Sequence, residues 1–199
     1  MIQAVIFDIG GVLIKEPAKS REEYCARKLK VPLEKFVKAY KRLLPDFTMG
    51  KISEEEFWQK ISEELKIKKP EVGLWQEGLM QAYQENTKVF EIVFSLKLNG
   101  YKTAVISNTE MPSLEYFKEE YLKIFDACIY SCEEGAAKPE EKIYRIALEK
   151  LNVEPEEAVF IDDKQEHING AEKLGIKTIL FKNAEQLARD LISYDCILG

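Results

Sequence analysis

A chain of 199 residues, 46% hydrophobic and 32% charged, suits one compact globular unit with room for a smaller insert. Its net charge of −6 argues against a general nucleic-acid binder, whose footprint is a basic patch. No run approaches the ~20 apolar residues of a membrane span, and Asp8 interrupts the first apolar run, so neither a span nor a signal peptide is expected. The cysteines, Cys25, Cys128, Cys132 and Cys196, form no metal-binding spacing and read as free thiols of a cytoplasmic protein.

The first apolar run, over 2–7, reads as a buried strand and ends on Asp8-Ile9-Gly10-Gly11. From about 16 to 83 no strand is expected. Amphipathic helices are expected instead over 22–29, 33–44 and 53–65, the last opened by a Ser53/Glu56 capping box with Ile52 as its staple. The aromatics Tyr40, Phe47, Trp58 and Trp75 should pack this segment's own core. Strands then recur at 103–106, 127–130, 158–161 and 178–181. Between and after them lie helical patterns over 89–98, 140–151, 167–174 and 185–192, with Gly100 and Gly175 as stops. The alternation implies an α/β fold: a doubly wound, mostly parallel five-stranded Rossmann-like sheet covered on both faces. The core would comprise 1–15 and 84–199. A helical cap over 16–83, inserted after the first strand, would stand above the carboxyl ends of the strands as a lid.

Polar residues cluster where the apolar runs end: Asp8, Ser107-Asn108 and Asp162-Asp163, joined by Lys138-Pro139. Open α/β sheets bind ligands in the crevice beyond the carboxyl ends of their strands. A carboxylate, a hydroxyl, a lysine and an acidic pair converging there would suit metal-assisted phosphoryl transfer through an aspartyl-phosphate. Taken singly, each has an ordinary structural explanation: a strand-ending aspartate, a Ser/Asn turn, a solvated lysine before a first-turn proline, acids at a helix N-terminus. Two adjacent acids directly after Val159-Phe160-Ile161 are nonetheless awkward to bury without a cation.

In their order, Val5-Ile6-Phe7-Asp8-Ile9-Gly10-Gly11-Val12, Val105-Ile106-Ser107-Asn108-Thr109, Lys138-Pro139 and Phe160-Ile161-Asp162-Asp163 resemble the haloacid dehalogenase-like superfamily. Asn169-Gly170-Ala171 and Leu174-Gly175-Ile176 look like its closing segment. The resemblance implies a magnesium-dependent phosphatase of a small phosphorylated metabolite such as a sugar phosphate, acting as a cytoplasmic monomer or weak dimer. It makes Asp8 the nucleophile. Ser107, Asn108, Gly11 and Lys138 would bind the phosphate. Asp8, the Gly10 carbonyl and Asp163 would hold Mg²⁺, with Asp162 as ligand or just behind, and His167 near the site or at its rim.

The chain departs from the family at Gly10, where most phosphatase members carry a second aspartate that protonates the leaving group. General acid catalysis is typically worth ~10²–10⁴-fold. A leaving group that needs no proton, an acid from elsewhere such as Glu110 or the cap, or slow turnover would each accommodate the change. The competing readings are a haloacid dehalogenase, which has no use for the acidic pair, a phosphoacceptor receiver module, whose acidic pair comes at the first strand, and a silent phosphate-binding scaffold.

Overall fold

The computed structural model describes residues 1–15 and 21–196, with backbone alone over 116–122. Strands β1 (Ala4–Phe7), β2 (Lys102–Ser107), β3 (Ala127–Tyr130), β4 (Ala158–Asp162) and β5 (Lys177–Leu180) form the expected sheet. All four pairings are parallel, in the order β3-β2-β1-β4-β5. Strand residues alternate between two cores. Val5, Phe7, Val105, Val159 and Ile161 face one side, while Ala4, Ile6, Ala104, Ala158 and Phe160 face the other. Burial on both faces is why these strands read as continuous apolar runs.

Helices α5 (Thr87–Leu98) and α10 (Ala184–Ser193) contribute to the first core. Helices α8 (Glu141–Leu151) and α9 (Gln165–Glu172) contribute to the second, where alanines on β1 to β4 leave room for them. The proline expected in the first turn of α8 lies before it: Glu140 is the N-cap, and Pro139 sits in the preceding turn. Helix α6 (Met111–Ile124) and the short α7 (Ser131–Glu134) have no counterpart among the elements expected from sequence.

Between β1 and α5 stand α1 (Arg21–Leu29), α2 (Leu33–Thr48), α3 (Glu54–Leu65) and α4 (Leu74–Ala82), the last also unanticipated. The capping box forms: Ser53 Oγ accepts from the Glu56 N–H, and the Glu56 carboxylate accepts from the Ser53 N–H. Helix α2 runs past Pro45 to Thr48, whereas the sequence pattern ends it at 44. The extra turn buries Phe47, which stacks on Phe57 at 4.4 Å between centroids. Burying such a ring contributes ~1.5–3 kcal/mol, comparable to the cost of an interior proline. Phe36, Tyr40, Trp58 and Trp75 complete a third, separate core.

The two ends of this helical segment meet. The Lys15 N–H donates to the Gln84 carbonyl, and the Asn86 N–H to that of Leu13, each at 2.8 Å. Among the described residues no helix is long and apolar enough to cross a membrane.

Candidate active site

Strand order reverses around β1, and there Asp8 and Asp162 end two neighbouring strands. The Asp8 N–H extends the ladder by donating to the Ile161 carbonyl at 2.9 Å. The chain then turns through Gly10 and Gly11. Gly11 has φ +84°, open to glycine at little cost, and a Cβ there would collide with the Asp163 carboxylate. That close approach sets the second acid of the doublet against the β1 loop. Gly10 has no such constraint: a Cβ on it would meet nothing within 4 Å.

Lys138 lies between the two strand-end acids, its Nζ 2.7 Å from Asp8 Oδ1 and 2.6 Å from Asp162 Oδ2. All three are buried: Asp162 fully, Lys138 to 4% exposure and Asp8 to 5%. Asp8 Oδ1 also accepts from the Ile9 N–H at 2.7 Å. Asp162 is further held by the Lys164 N–H on Oδ1 and by His167, whose Nδ1 lies 2.9–3.0 Å from its two oxygens. A carboxylate only accepts, so Nδ1 carries the proton in that bond. His167 is buried beside the acids, at the cavity lining. Ligand atoms of Asp8, Asp162 and His167 all lie within 4.8 Å of one another.

Burial pushes the Asp8 carboxyl up to about 6; Lys138 works against that shift and Asp162 adds to it. Burial opposes ionisation of Asp162 too, but its bonds from His167 and Lys138 hold it down at about 2. One acid is thus firmly charged, and the other is short of cations.

Ser107 is buried at the end of β2 and shares the cavity wall with Asn108. The Asn108 side chain does something the sequence does not reveal. Its Oδ1 accepts from the Lys138 N–H at 2.8 Å and its Nδ2 donates to the Lys138 carbonyl at 2.9 Å. It clamps the lysine's backbone from the cavity wall.

Asp8, Ser107, Asn108, Lys138 and His167 line a cavity of about 350 Å³ under the helical segment, whose Arg21, Glu22, Leu79, Ala82 and Tyr83 complete the wall. Glu110, named above as a substitute acid, is 2% exposed on the same cavity. Arg21 Nη1 meets its Oε1 at 2.5 Å, and Ser113 Oγ and Trp75 Nε1 also donate to it. Burial alone would raise its pKa, but Arg21, Ser113 and Trp75 together keep it below the usual carboxylate range. An anchored carboxylate has no proton to give, so Glu110 is not the substitute.

Parallel strands ending in carboxylates around one buried lysine put the candidate active site at the strand ends of this α/β fold. The haloacid dehalogenase-like hydrolase model matches residues 2–175, and the chain belongs to that family. It is 30% identical over 208 residues to Acyl-CoA dehydrogenase family member 10 of Mus musculus, covering 99% of this chain and 19% of that protein. It is also 30% identical to the Phosphorylated carbohydrates phosphatase of Thermotoga maritima, covering 89% of this chain and 84% of that one. A HAD family enzyme of Bacteroides thetaiotaomicron, solved in complex with magnesium and inorganic phosphate, shares the fold. Its TM-score is 0.76 at 24% identity, with 92% of this chain and 96% of that one covered. The chain spans 19% and 38% of the length of the first two curated relatives it matches.

Proposed function

We propose that this protein is a Mg²⁺-dependent phosphatase of small phosphorylated metabolites, working through a phosphoryl group carried on Asp8. The observation that carries the reading is the buried meeting of Asp8, Lys138 and Asp162 at the strand ends, with the Asp163 carboxylate beside Gly11. One lysine faces two carboxylates, with a third beside Gly11, and such a cluster of hard oxygen donors fits a divalent cation. Asp8, the Gly10 carbonyl and Asp163 would hold it, with Asp162 behind them organising Lys138 and His167. When bound, the cation polarises a phosphoryl oxygen and offsets charge developing on the transferred group.

Lys138 Nζ and the Ile9 N–H both meet Asp8 at Oδ1, and Oδ2 would attack phosphorus. The Oδ2–P bond forms as the bond from phosphorus to the leaving oxygen breaks, and that oxygen departs with the electron pair. Water then attacks phosphorus and the Oδ2–P bond breaks, returning its electron pair to Asp8 as a carboxylate; one proton of the water stays on the released phosphate, and the other passes through solvent to the departed oxygen. Lys138, fixed by Asn108 and Asp162, neutralises the nucleophile at rest and meets the phosphate oxygens as they arrive. Ser107 and the backbone of Asn108 and Gly11 supply the remaining phosphate contacts. Helices α1 to α4 act as the cap that closes this cavity from water. The phosphorylated-sugar relative supports a phosphorylated metabolite as substrate, and a cytoplasmic setting suits one.

Hydrolysis of p-nitrophenyl phosphate with Mg²⁺, abolished by EDTA, is the expected result. Asp163→Ala should weaken the Mg²⁺ requirement curve by ~10–100-fold. Turnover indifferent to EDTA would sink the metal assignment, and no turnover of any phosphate ester would sink the enzyme.

A further inference from the structure

The cavity wall opposite Asp8 carries one arginine, and its surroundings are built with more care than packing requires. Arg21 opens α1 with its side chain 25% exposed toward the cavity. Its guanidinium lies over the Trp75 ring at 4.3 Å. Nη1 is fixed by Glu110 Oε1 at 2.5 Å and by Ser113 Oγ at 3.0 Å. Room for its stem comes from Gly78, where a Cβ would meet Arg21 Cγ at 2.9 Å. A buried ion pair seldom stabilises a fold more than apolar side chains of the same volume would. Holding a planar five-donor fork rigid, by contrast, lowers the entropy lost when it binds an oxygen acceptor.

We propose that Arg21, positioned by Glu110, reads the non-transferred part of the substrate by donating to a carboxylate or hydroxyl oxygen on it. The inference rests on the phosphatase reading and narrows it to phosphate esters whose organic part carries such an acceptor. The charge of the arginine is balanced by Glu110, so the fork supplies direction without drawing the phosphate away from Lys138. Arg21 is thus a specificity residue that touches substrate, and Glu110 a positioning residue that acts through it.

The test is calorimetric binding of three non-hydrolysable analogues to the Mg²⁺-loaded protein: propylphosphonate, 3-hydroxypropylphosphonate and 3-phosphonopropionate. The second and third arms separate hydroxyl from carboxylate. Wild type should bind at least one acceptor-bearing analogue about tenfold or more tighter than propylphosphonate, the scale of one charge-assisted hydrogen bond. Arg21→Met should bring that ratio close to 1, and Glu110→Gln should reduce it. Arg21→Lys, which keeps the charge and loses the fork, should also reduce it and serves if the methionine variant does not fold. Equal affinities in wild type, or a ratio that survives loss of the fork, would overturn the proposal while leaving the phosphatase reading standing. If none of the three binds, the phosphate site itself is wrong and both readings fall.

Discussion

Two buried ion-pair systems face each other across the cavity. At the strand ends, Lys138 serves two carboxylates, with Asp163 close by, so negative charge is in excess. On the helical side, Arg21 and Glu110 match one for one, and hydroxyl and indole donors converge with the guanidinium on the same carboxylate oxygen, Oε1. Burying an uncompensated carboxylate is costly, and Asp8 with its pKa near 6 shows that cost, whereas Glu110 is held the other way. The unbalanced system is arranged for something that arrives, a cation and a phosphate. The balanced one fixes a donor in place.

The sharpest break between them is catalytic. Asp8→Asn should lower turnover of p-nitrophenyl phosphate by about 10⁴-fold or more, because the nucleophile is lost while its shape remains. A variant that keeps wild-type rates would remove Asp8 from the chemistry. On the balanced side the large effect should fall on stability. Glu110→Gln leaves a partly buried guanidinium without its counter-charge and should cost about 2–3 kcal/mol in urea unfolding. That is less than the ~3–5 of a fully buried pair, because a quarter of the Arg21 side chain stays in solvent. The folded pKa of Glu110 is depressed, so its contribution is complete above the unfolded value of 4.5 and fades as pH falls through the folded one. The variant should lose that acid-side slope; an unchanged slope would argue that the pair contributes nothing to stability.

Gly10 offers a gain instead of a loss. An added side chain meets open space, so Gly10→Asp should fold normally and place an acid in the cavity. Turnover of alkyl phosphates should rise relative to p-nitrophenyl phosphate by up to ~10²-fold. Equal changes on both would show that leaving-group protonation does not limit the rate. The smallest effect is the reverse in sign of the Glu110 result. The folded pKa of Asp8 is raised from 3.8 to about 6, so its charge disfavours the metal-free fold as pH climbs through that window. In EDTA at pH 7, Asp8→Asn should therefore stabilise the protein by about 1–3 kcal/mol. Destabilisation would contradict the charge-excess argument.

The unbalanced side was written in the sequence, and the balanced side was not. Asp8, Ser107 and Asp162 each follow a buried parallel strand, and such strands announce themselves as unbroken apolar runs. Lys138 could be placed only through the family resemblance, since what fixes it is the Asn108 amide thirty residues away. The Arg21–Trp75–Glu110 contact joins three elements 35 and 89 residues apart, and no local pattern encodes it. Helix α4 escaped for another reason: Gly78 inside it weakens a helical reading, and that glycine is needed for the approach of α1. His167 could be read as a surface residue because it follows Gln165 and Glu166; its burial follows from Asp162, five residues back.

The most direct measurement is chemical trapping on the wild-type protein. Enzyme turning over p-nitrophenyl phosphate with Mg²⁺ is quenched in acid and reduced with borohydride, which converts an aspartyl-phosphate to homoserine. Peptide mass spectrometry should then find homoserine at position 8 and nowhere else. Phosphate release with residue 8 still aspartate throughout, or the label at another carboxylate, would contradict the mechanism.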